Sequence, residues 1–594
     1  MTAAVAASAA VAASAAVALA LSLFRLHDDD VGFHVANGRL VREAWRTGGE
    51  IPTANPFSYA VPGHPWTQHQ WLPAAATAWL VDDAPDLLGI RGAPAAPGGP
   101  GRTDGPERPD ARVLVALKAA LFALLFGLLA AGALAEGCPP VLAFVMCSLG
   151  AAAASPRFYE RPYLLSSLGL AATVLALRAW GRAAPGSRRR SAWLAVAIAV
   201  PVANAHLHAG VWDSLLAWVA VAGGASATWA VARVRGKDEA SPAPLLAGLG
   251  ATIVLVVGSL AAFAPSGVEV LLLPLRMTDS AYWAKHLKEF RPLWDAIVPL
   301  WPAVAFVVVT AALLAWRRRD VDLGGHFLAW GFLALAVRHQ RMILPLVVAG
   351  LPVIGRAAAR IPARRTVAAG AVAIGVAVAG AAWVVQAERF RMGLGDAWDG
   401  GIDASAHPFA LLDRVDRDGL PGEVFASDGF AGTFLWRLYP PRRVLVHTDL
   451  EAYPVEVFED PYRVIRYARE GFEDRLRSLG VRTFLLKHTT PGERAAAAGR
   501  PNLRDVLWER SGTGQFPDAV LVDFDDAGAL WVLRDALPAG VATLDRFPVN
   551  PDTGRPRANA LPDAVRDALV AHAKAHPGSE RSLRILRALF PARE

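Results

Sequence analysis

Apolar runs close to the thickness of a bilayer constrain this chain more than any other feature. About 20 apolar helical residues cross the hydrocarbon core. Lipid offers no partners to backbone N–H and C=O groups, so such runs become helices. Eleven runs are expected to span: the first 24 residues, then 112–135, 139–155, 160–180, 192–209, 211–231, 244–264, 296–316, 323–337, 341–354 and 366–386. The first lacks the basic leader of a cleavable signal and is expected to stay as an anchor. A content of 54% apolar and 19% charged residues over 594 positions is too apolar for an ordinary soluble protein of this size.

Charge orients the spans. Arg188, Arg189 and Arg190; Arg233, Arg235 and Lys237; Arg317, Arg318 and Arg319; and Arg356, Arg360, Arg364 and Arg365 fall in alternate connections. The positive-inside rule puts these on the cytoplasmic side. The opposite face then carries loop 25–111, the turns 157–161, 204–210 and 338–341, loop 265–295, and everything after about 387. The net charge of +7 is spread over these short clusters, which excludes a nucleic-acid-binding surface. Cys138 and Cys147 lie in or beside apolar runs and make neither a disulfide framework nor a zinc site.

The fold class expected is mainly α: a polytopic helical membrane domain (1–386, with the long first outer loop 25–111) followed by a small soluble α/β domain (387–594). Within the first loop, 71–81 reads as a helix lying at the interface, and the Gly/Pro/Ala-rich 89–109 as a mobile linker. Strands are expected at 423–427, 444–447, 483–487, 519–524 and 529–533. Helices are expected at 455–479, 562–575 and 581–589, the last two forming a C-terminal tail. No Gly-rich phosphate loop follows any strand, so no nucleotide site is expected.

Chemistry concentrates in segment 27–71. Asp28, Asp29, Asp30 and His34 follow the first span directly, more charge than a stop signal needs. If a helix starts at Asp30, His34 stands one turn on along the same face. A carboxylate there suits a general base on an acceptor hydroxyl, or a ligand to a divalent ion beside a phosphate. Asp30, furthest into the loop, is the chosen base, with Asp28 next and Asp29 dispensable. Other outer turns hold Arg157, Glu160 and Arg161; His206 and His208; and Arg338, His339 and Arg341. Arginine suits phosphate through paired hydrogen bonds, and Arg338 and Arg341 are expected to face it together. The aromatic and basic stretch 281–290 reads as an interfacial anchor.

Asp28-Asp29-Asp30, His34, Ile51-Pro52, Asn55-Pro56-Phe57-Ser58-Tyr59 and Pro65-Trp66-Thr67-Gln68-His69-Gln70-Trp71-Leu72 resemble a bacterial family of GT-C-type membrane proteins. These are relatives of the dolichyl-phosphate-mannose and undecaprenyl-phosphate-sugar transferases. Arg161-Pro162, Asn204-Ala205-His206, the stretch from Arg338 to Met342, and the run from Asp428 to Leu438 look like its later motifs. The resemblance departs at Gln70, often acidic in such proteins, and near Asp449, where an arginine is missing. It implies a polyprenyl-phosphate-sugar donor, inverting transfer, and an acidic residue of the first outer loop near the chemistry.

The leading expectation is therefore an integral-membrane glycosyltransferase of the bacterial inner membrane, acting on the extracytoplasmic face. Asp30, Asp28 and His34 would be catalytic; Arg161, His206, His208, Arg338, Arg341 and His69 would bind substrate. Its partners would be the polyprenyl-phosphate-linked sugar, the bilayer, and a glycan, lipid or protein acceptor. A divalent cation, Mg2+ or Mn2+, is the one cofactor the carboxylates would take. The alternative is a non-catalytic membrane-anchored protein whose outer α/β domain binds glycan or protein. A transporter ranks lower, because charges are expected at span ends and no paired inverted repeat is visible.

Overall fold

The computed structural model describes residues 3–90, 109–361, 401–489, 502–576 and 579–591. The expected span 366–386, the domain boundary at 387, Arg364, Arg365 and nearly all of the linker 89–109 lie outside these residues. Two units divide the chain. The first comprises Met1–Leu26, Thr67–Pro73 and Val113–Gly401; the second comprises His27–Trp66, Ala74–Arg112 and Ile402–Glu594. Most of the first outer loop thus belongs to the same unit as the C-terminal region.

Helices of seven or more residues are numbered along the chain. After α1 (Ala3–Ser22), the first loop supplies α2 (Asp30–Thr47) and α3 (Trp71–Asp82). The helical unit continues with α4 (Arg112–Ala135), α5 (Pro140–Ala154), α6 (Tyr163–Arg182), α7 (Arg188–Ala205), α8 (Val211–Val234), α9 (Ala243–Phe263), α10 (Glu269–Asp279), α11 (Trp301–Trp316), α12 (Leu323–Arg338) and α13 (Ile343–Ala358). All ten expected spans within the described residues are helical. Among the described residues, seven helices are long and apolar enough to cross a membrane. The other three fall short for visible reasons. α7 opens on Arg188, Arg189 and Arg190, and α11 and α12 have 16 residues each, about 24 Å of rise. The chain is a multi-pass membrane protein.

α13 is apolar all round, as a central helix must be: every residue from Ile343 to Gly355 is buried. α8 and α12 approach most closely at two glycines. A Cβ on Gly224 would lie 2.3 Å from the backbone of Gly324, whereas one on the adjacent Gly223 would meet only Phe327 at 3.9 Å. Small residues let membrane helices touch backbone to backbone.

The second unit holds a four-stranded sheet of β1 (Glu423–Ala426), β2 (Val481–Lys487), β3 (Ala519–Phe524) and β4 (Gly528–Leu533), in order β1-β2-β4-β3. β1 and β2 run parallel; β4 is antiparallel to both β2 and β3. Asp525 closes the β3–β4 turn by accepting the N–H groups of Ala527 and Gly528 at 2.8 and 2.9 Å. Around the sheet lie α14 (Phe409–Arg417), α15 (Ala431–Leu438), α16 (Phe472–Ser478), α17 (Leu503–Arg510), α18 (Pro562–Ala575) and α19 (Arg581–Leu589). The C-terminal tail helices match expectation. Two other elements do not. The expected strand 444–447 stays out of the sheet and makes one bridge, Val444 with Ser58. The expected helix 455–479 breaks into short turns; α16 starts only after Gly471, which takes φ 79°.

The glycine crossing predicts opposite fates for two neighbouring substitutions. Gly224→Ala should cost about 1–3 kcal/mol through overpacking, seen as a lower unfolding temperature in detergent, while Gly223→Ala should leave that temperature unchanged. Equal effects at both positions would remove the close approach as the cause.

Candidate active site

α2 starts at Asp30, so Asp30 and His34 do stand one turn apart. The three aspartates, however, have separate surroundings. Asp29 is buried and its carboxylate accepts three hydrogen bonds: from the N–H of Gly432 (2.7 Å), the N–H of Thr433 (2.9 Å) and the Thr433 hydroxyl (2.7 Å). Those N–H groups open α15, whose own cap residue Phe430 supplies no side-chain acceptor. Asp29 therefore caps α15 from a segment some four hundred positions away in sequence, where both charge and hydrogen bonding favour an anion. Glycine is required at this crossing: a Cβ on Gly32 would lie 2.3 Å from the Gly432 carbonyl, and one on Gly432 would lie 2.0 Å from Asp29 O. Asp29 is thus the structural aspartate, a role the sequence reading did not give it.

The remaining first-loop motifs also fasten to C-terminal segments of the same unit. Asn55 donates to the Ala452 carbonyl (3.0 Å) and accepts the Phe57 N–H (2.9 Å). The Ser58 hydroxyl donates to Leu445 O (2.9 Å), and Val444 and Phe57 share a backbone bond (2.9 Å). Trp66 Nε1 donates to Asp449 Oδ2 at 2.8 Å, and the Phe33 ring stacks on His447 at 4.6 Å. Burial and the neighbouring Glu451 hold the Asp449 carboxyl well above the usual carboxylate range, and the charge of Asp30 adds to this. Asp30, Asp449 and Glu451 thus make one carboxylate-rich locality. Asp28 belongs to another, where its charge acts on His407 beside the His27–Asp403 pair (2.7 Å).

In the helical unit, three turns and loop 265–295 meet at one end. Arg157 donates to Glu289 at 2.6 Å. Burial raises the Glu289 carboxyl, but Arg157, Arg341 and Arg161 outweigh it and bring the group down to about 2. Arg341 also lies over the Phe290 ring at 4.7 Å. His339 and Gln340 bond to backbone of the same loop at Phe290, Arg291 and Pro292. His208 Nδ1 accepts the Gly210 N–H (2.9 Å), so its Nε2 carries the proton, and its ring lies 5.6 Å from that of His69. His206 faces Trp71 instead, at 6.3 Å. Arg338 stands differently from Arg341: at the last position of α12 its side chain is exposed, and among the described residues it makes no ion pair with this cluster.

Sequence reasoning missed Glu289, Asp449 and Lys118. Lys118 lies two turns inside α4 and is sealed against Glu160 at 2.6 Å, with its ammonium 3.5 Å from the centre of the Phe24 ring. This corrects the expectation that charges sit only at span ends. A lone lysine within an apolar run was the available signal. In the sequence Glu289 stands out only as part of the stretch 281–290 and Asp449 only as a departure from the family pattern, because only the fold surrounds one with arginines and sets the other beside Trp66.

Thr433 links Asp29 to His407: its hydroxyl lies 2.7 Å from Asp29 Oδ1 and 2.7 Å from His407 Nδ1. Burial lifts the Asp29 carboxyl from 3.8 to about 6, against its three donors. Between those values the folded state holds a proton that the unfolded chain releases, so this contribution weakens as pH rises through 6. Burial lowers His407 from 6.5 to about 4, so its contribution is complete above 6.5 and is lost as pH falls through 4. The two offset each other across the shared interval. Asp29→Asn should destabilise the protein at neutral pH by about 1–3 kcal/mol, because its amide nitrogen cannot accept and leaves a buried donor of α15 unpaired. It should also lose about 3 kcal/mol more between pH 7 and pH 4, with His407 unopposed. Chemical denaturation at the two pH values checks both; native-like stability at neutral pH would remove the capping role.

No family model matches the chain, and no curated protein matches it in sequence. Solved structures define its class by fold. The chain is similar to the apo crystal structure of the oligosaccharyltransferase of Archaeoglobus fulgidus, at 12% identity and TM-score 0.50, over 81% of this chain and 69% of that one. The same enzyme tethered to an acceptor peptide containing the NVT sequon gives 13% identity and TM-score 0.50 over the same shares. Apo ArnT from Cupriavidus metallidurans aligns over 91% of this chain and 99% of that one, at 12% identity and TM-score 0.49. The likeness is one of fold, and the fold is of the GT-C type.

Proposed function

We propose that this protein is an integral-membrane glycosyltransferase that moves a sugar from a polyprenyl-phosphate donor to an acceptor on the extracytoplasmic face of a bacterial inner membrane. The observation that carries this reading is the convergence of Arg157, Arg161 and Arg341, from two separate turns, on Glu289. Arginines gathered at one end of a helical membrane unit suit the phosphate of a lipid-linked donor, because guanidinium bonds phosphate oxygens in pairs. His69, His206 and His208 lie at the same end and would contact the sugar or the acceptor. The GT-C fold agrees, and the second unit offers no Gly-rich loop for a nucleotide donor.

In the reaction, an acceptor oxygen attacks the anomeric carbon as the bond from that carbon to the phosphate oxygen breaks. The leaving phosphate takes the electron pair, and the arginine cluster stabilises its charge. Attack opposite the leaving group inverts the anomeric centre. Asp30 is the proposed base that takes the acceptor's proton, with His34 one turn on along α2 and Asp28 an auxiliary. Asp449 and Glu451, with Asp30 in the same locality, are oxygen donors of the kind a hard divalent cation such as Mg2+ or Mn2+ takes, and burial, with Glu451 and Asp30 adding to it, raises the Asp449 carboxyl as it would where no countercharge is present. Such an ion would offset the repulsion among these carboxylates. The nature of the acceptor is left to assay: glycan, lipid or protein.

Purified protein with a labelled polyprenyl-phosphate sugar tests the reading. Asp30→Asn keeps the side chain's shape and removes its basicity, so turnover should fall about 10²–10⁴-fold while the unfolding temperature is unchanged. Arg341→Gln should weaken donor binding about tenfold or more, from loss of one charge-assisted contact, and Arg338→Gln should not. Full turnover in Asp30→Asn places the base elsewhere. No sugar release by the native protein from any such donor would favour the non-catalytic anchor.

A further inference from the structure

In the second unit, far in sequence from the motifs above, α18 presents His572 and His576 at positions i and i+4 towards Asp523 of β3. His572 Nε2 lies 3.3 Å from Asp523 Oδ1, and His576 Nε2 lies 3.1 Å from Oδ2. One ligand atom from each of the three residues falls within 4.8 Å of the others. We propose that Asp523, His572 and His576 form a site for a borderline divalent metal ion of the Zn2+ class, which fastens α18 to the sheet.

Hydrogen bonding outside the cluster turns the right atoms inward. His576 Nδ1 faces the His572 carbonyl at 3.1 Å. A carbonyl only accepts, so Nδ1 carries the proton, and Nε2 of the neutral ring directs a lone pair at the carboxylate. Two lone pairs 3.1 Å apart need either a proton or a metal ion between them, and the site can hold the metal ion. His572 Nδ1 is held by Ser582 Oγ of α19 at 2.9 Å, which leaves its Nε2 for the other oxygen of the same carboxylate. Ligating histidines are typically fixed in this way through their other nitrogen. The His572 ring is further set by stacking on Phe524 at 3.8 Å.

Charge and size agree. Asp523 Oδ1 also accepts the Phe524 N–H (2.9 Å), and Oδ2 accepts from Arg414 Nη1 (3.1 Å). Arg414 is shared: Asp418 takes its Nε at 2.8 Å, and the carbonyls of Val522 and Ala542 take its other protons. Its charge is therefore divided between two carboxylates, and Asp523 keeps a deficit that a dication fills. A tetrahedral ion with ligands at about 2.0–2.1 Å spaces its ligand atoms about 3.3 Å apart; the two N···O distances, 3.3 and 3.1 Å, match that spacing, and the three ligand atoms lie within 4.8 Å of one another, so a small side-chain adjustment would close the set on an ion. Two imidazole nitrogens favour Zn2+ or Co2+ over Mg2+. Asp523 and His572 are buried, whereas the His576 side chain is 30% exposed and gives the ion a route in and a position for water.

The full chain, purified in detergent and stripped with chelator, would be titrated with Co2+ and with Zn2+ in excess Mg2+, which fills oxygen-only sites. The native protein should bind one equivalent of Co2+ with the visible absorption of a tetrahedral ion, and Zn2+ should displace it and raise the unfolding temperature. His576→Gln alters a half-exposed side chain and should fold, yet bind at least tenfold more weakly. His576→Cys should restore binding and add a thiolate-to-cobalt charge-transfer band. The same Co2+ spectrum and affinity in native protein and His576→Gln would overturn the proposal. So would a native protein that binds no Co2+, which would leave His576 as an imidazolium paired with Asp523.

Discussion

The Asp29 carboxylate and the two N–H groups it receives at the start of α15 organise the second unit. α15 lacks a local cap, and α2 brings one across at a point where Gly32 and Gly432 let the two backbones nearly touch. Once that contact exists, the rest of the first loop has a fixed path. Asn55, Ser58 and Trp66 then reach Ala452, Leu445 and Asp449 in turn. The polar motifs of the first loop are therefore largely positional. Their work is to hold α2 so that Asp30 sits in the locality of Asp449 and Glu451. Asp29 meets its partners as an anion at neutral pH because three donors limit what burial alone would do to its proton affinity.

The helical unit solves a different problem. Its interior offers little to charged groups, so charge gathers where helices end and loops return. Arg157, Arg161 and Arg341 share Glu289 at one end. Glu136, just past the end of α4, joins Arg178 and Arg182 in the last turns of α6, and Arg178 also reaches Asp322, the cap of α12. Lys118 is the exception, carried inside and neutralised by Glu160. An unpaired ammonium at that depth would be costly; a sealed pair is tolerated because both partners are satisfied together. Between these polar ends, apolar surface and glycine crossings such as that of α8 with α12 provide the packing.

Local patterns were legible where they did not depend on distant partners. Ten spans, both tail helices and four of five strands follow from apolar runs, turn residues and periodicity. The failures share one cause. Segment 444–447 has strand composition, but its hydrogen bonds are taken up by Phe57, Ser58 and Tyr59, which occupy the place of a neighbouring strand. Segment 455–479 has helical periodicity, but Pro461 and Gly471 divide it. Arg338 and Arg341 looked equivalent in sequence, yet one ends a helix in the open and the other folds over Phe290.

By itself, the sequence determined that this chain threads a membrane many times and carries a small α/β region at its C-terminal end. Those properties follow from the length and polarity of short segments. It also placed an unusual group of acids beside the first span. Which acid caps a helix, which joins Asp449 and Glu451, and which charges converge on Glu289 were decided by tertiary structure alone. The reason is physical: a carboxylate's role depends on the donors, charges and water within a few ångströms of it, and here those neighbours come from other segments, about 50 positions away for Arg341 and Glu289 and some four hundred for Asp29 and Gly432.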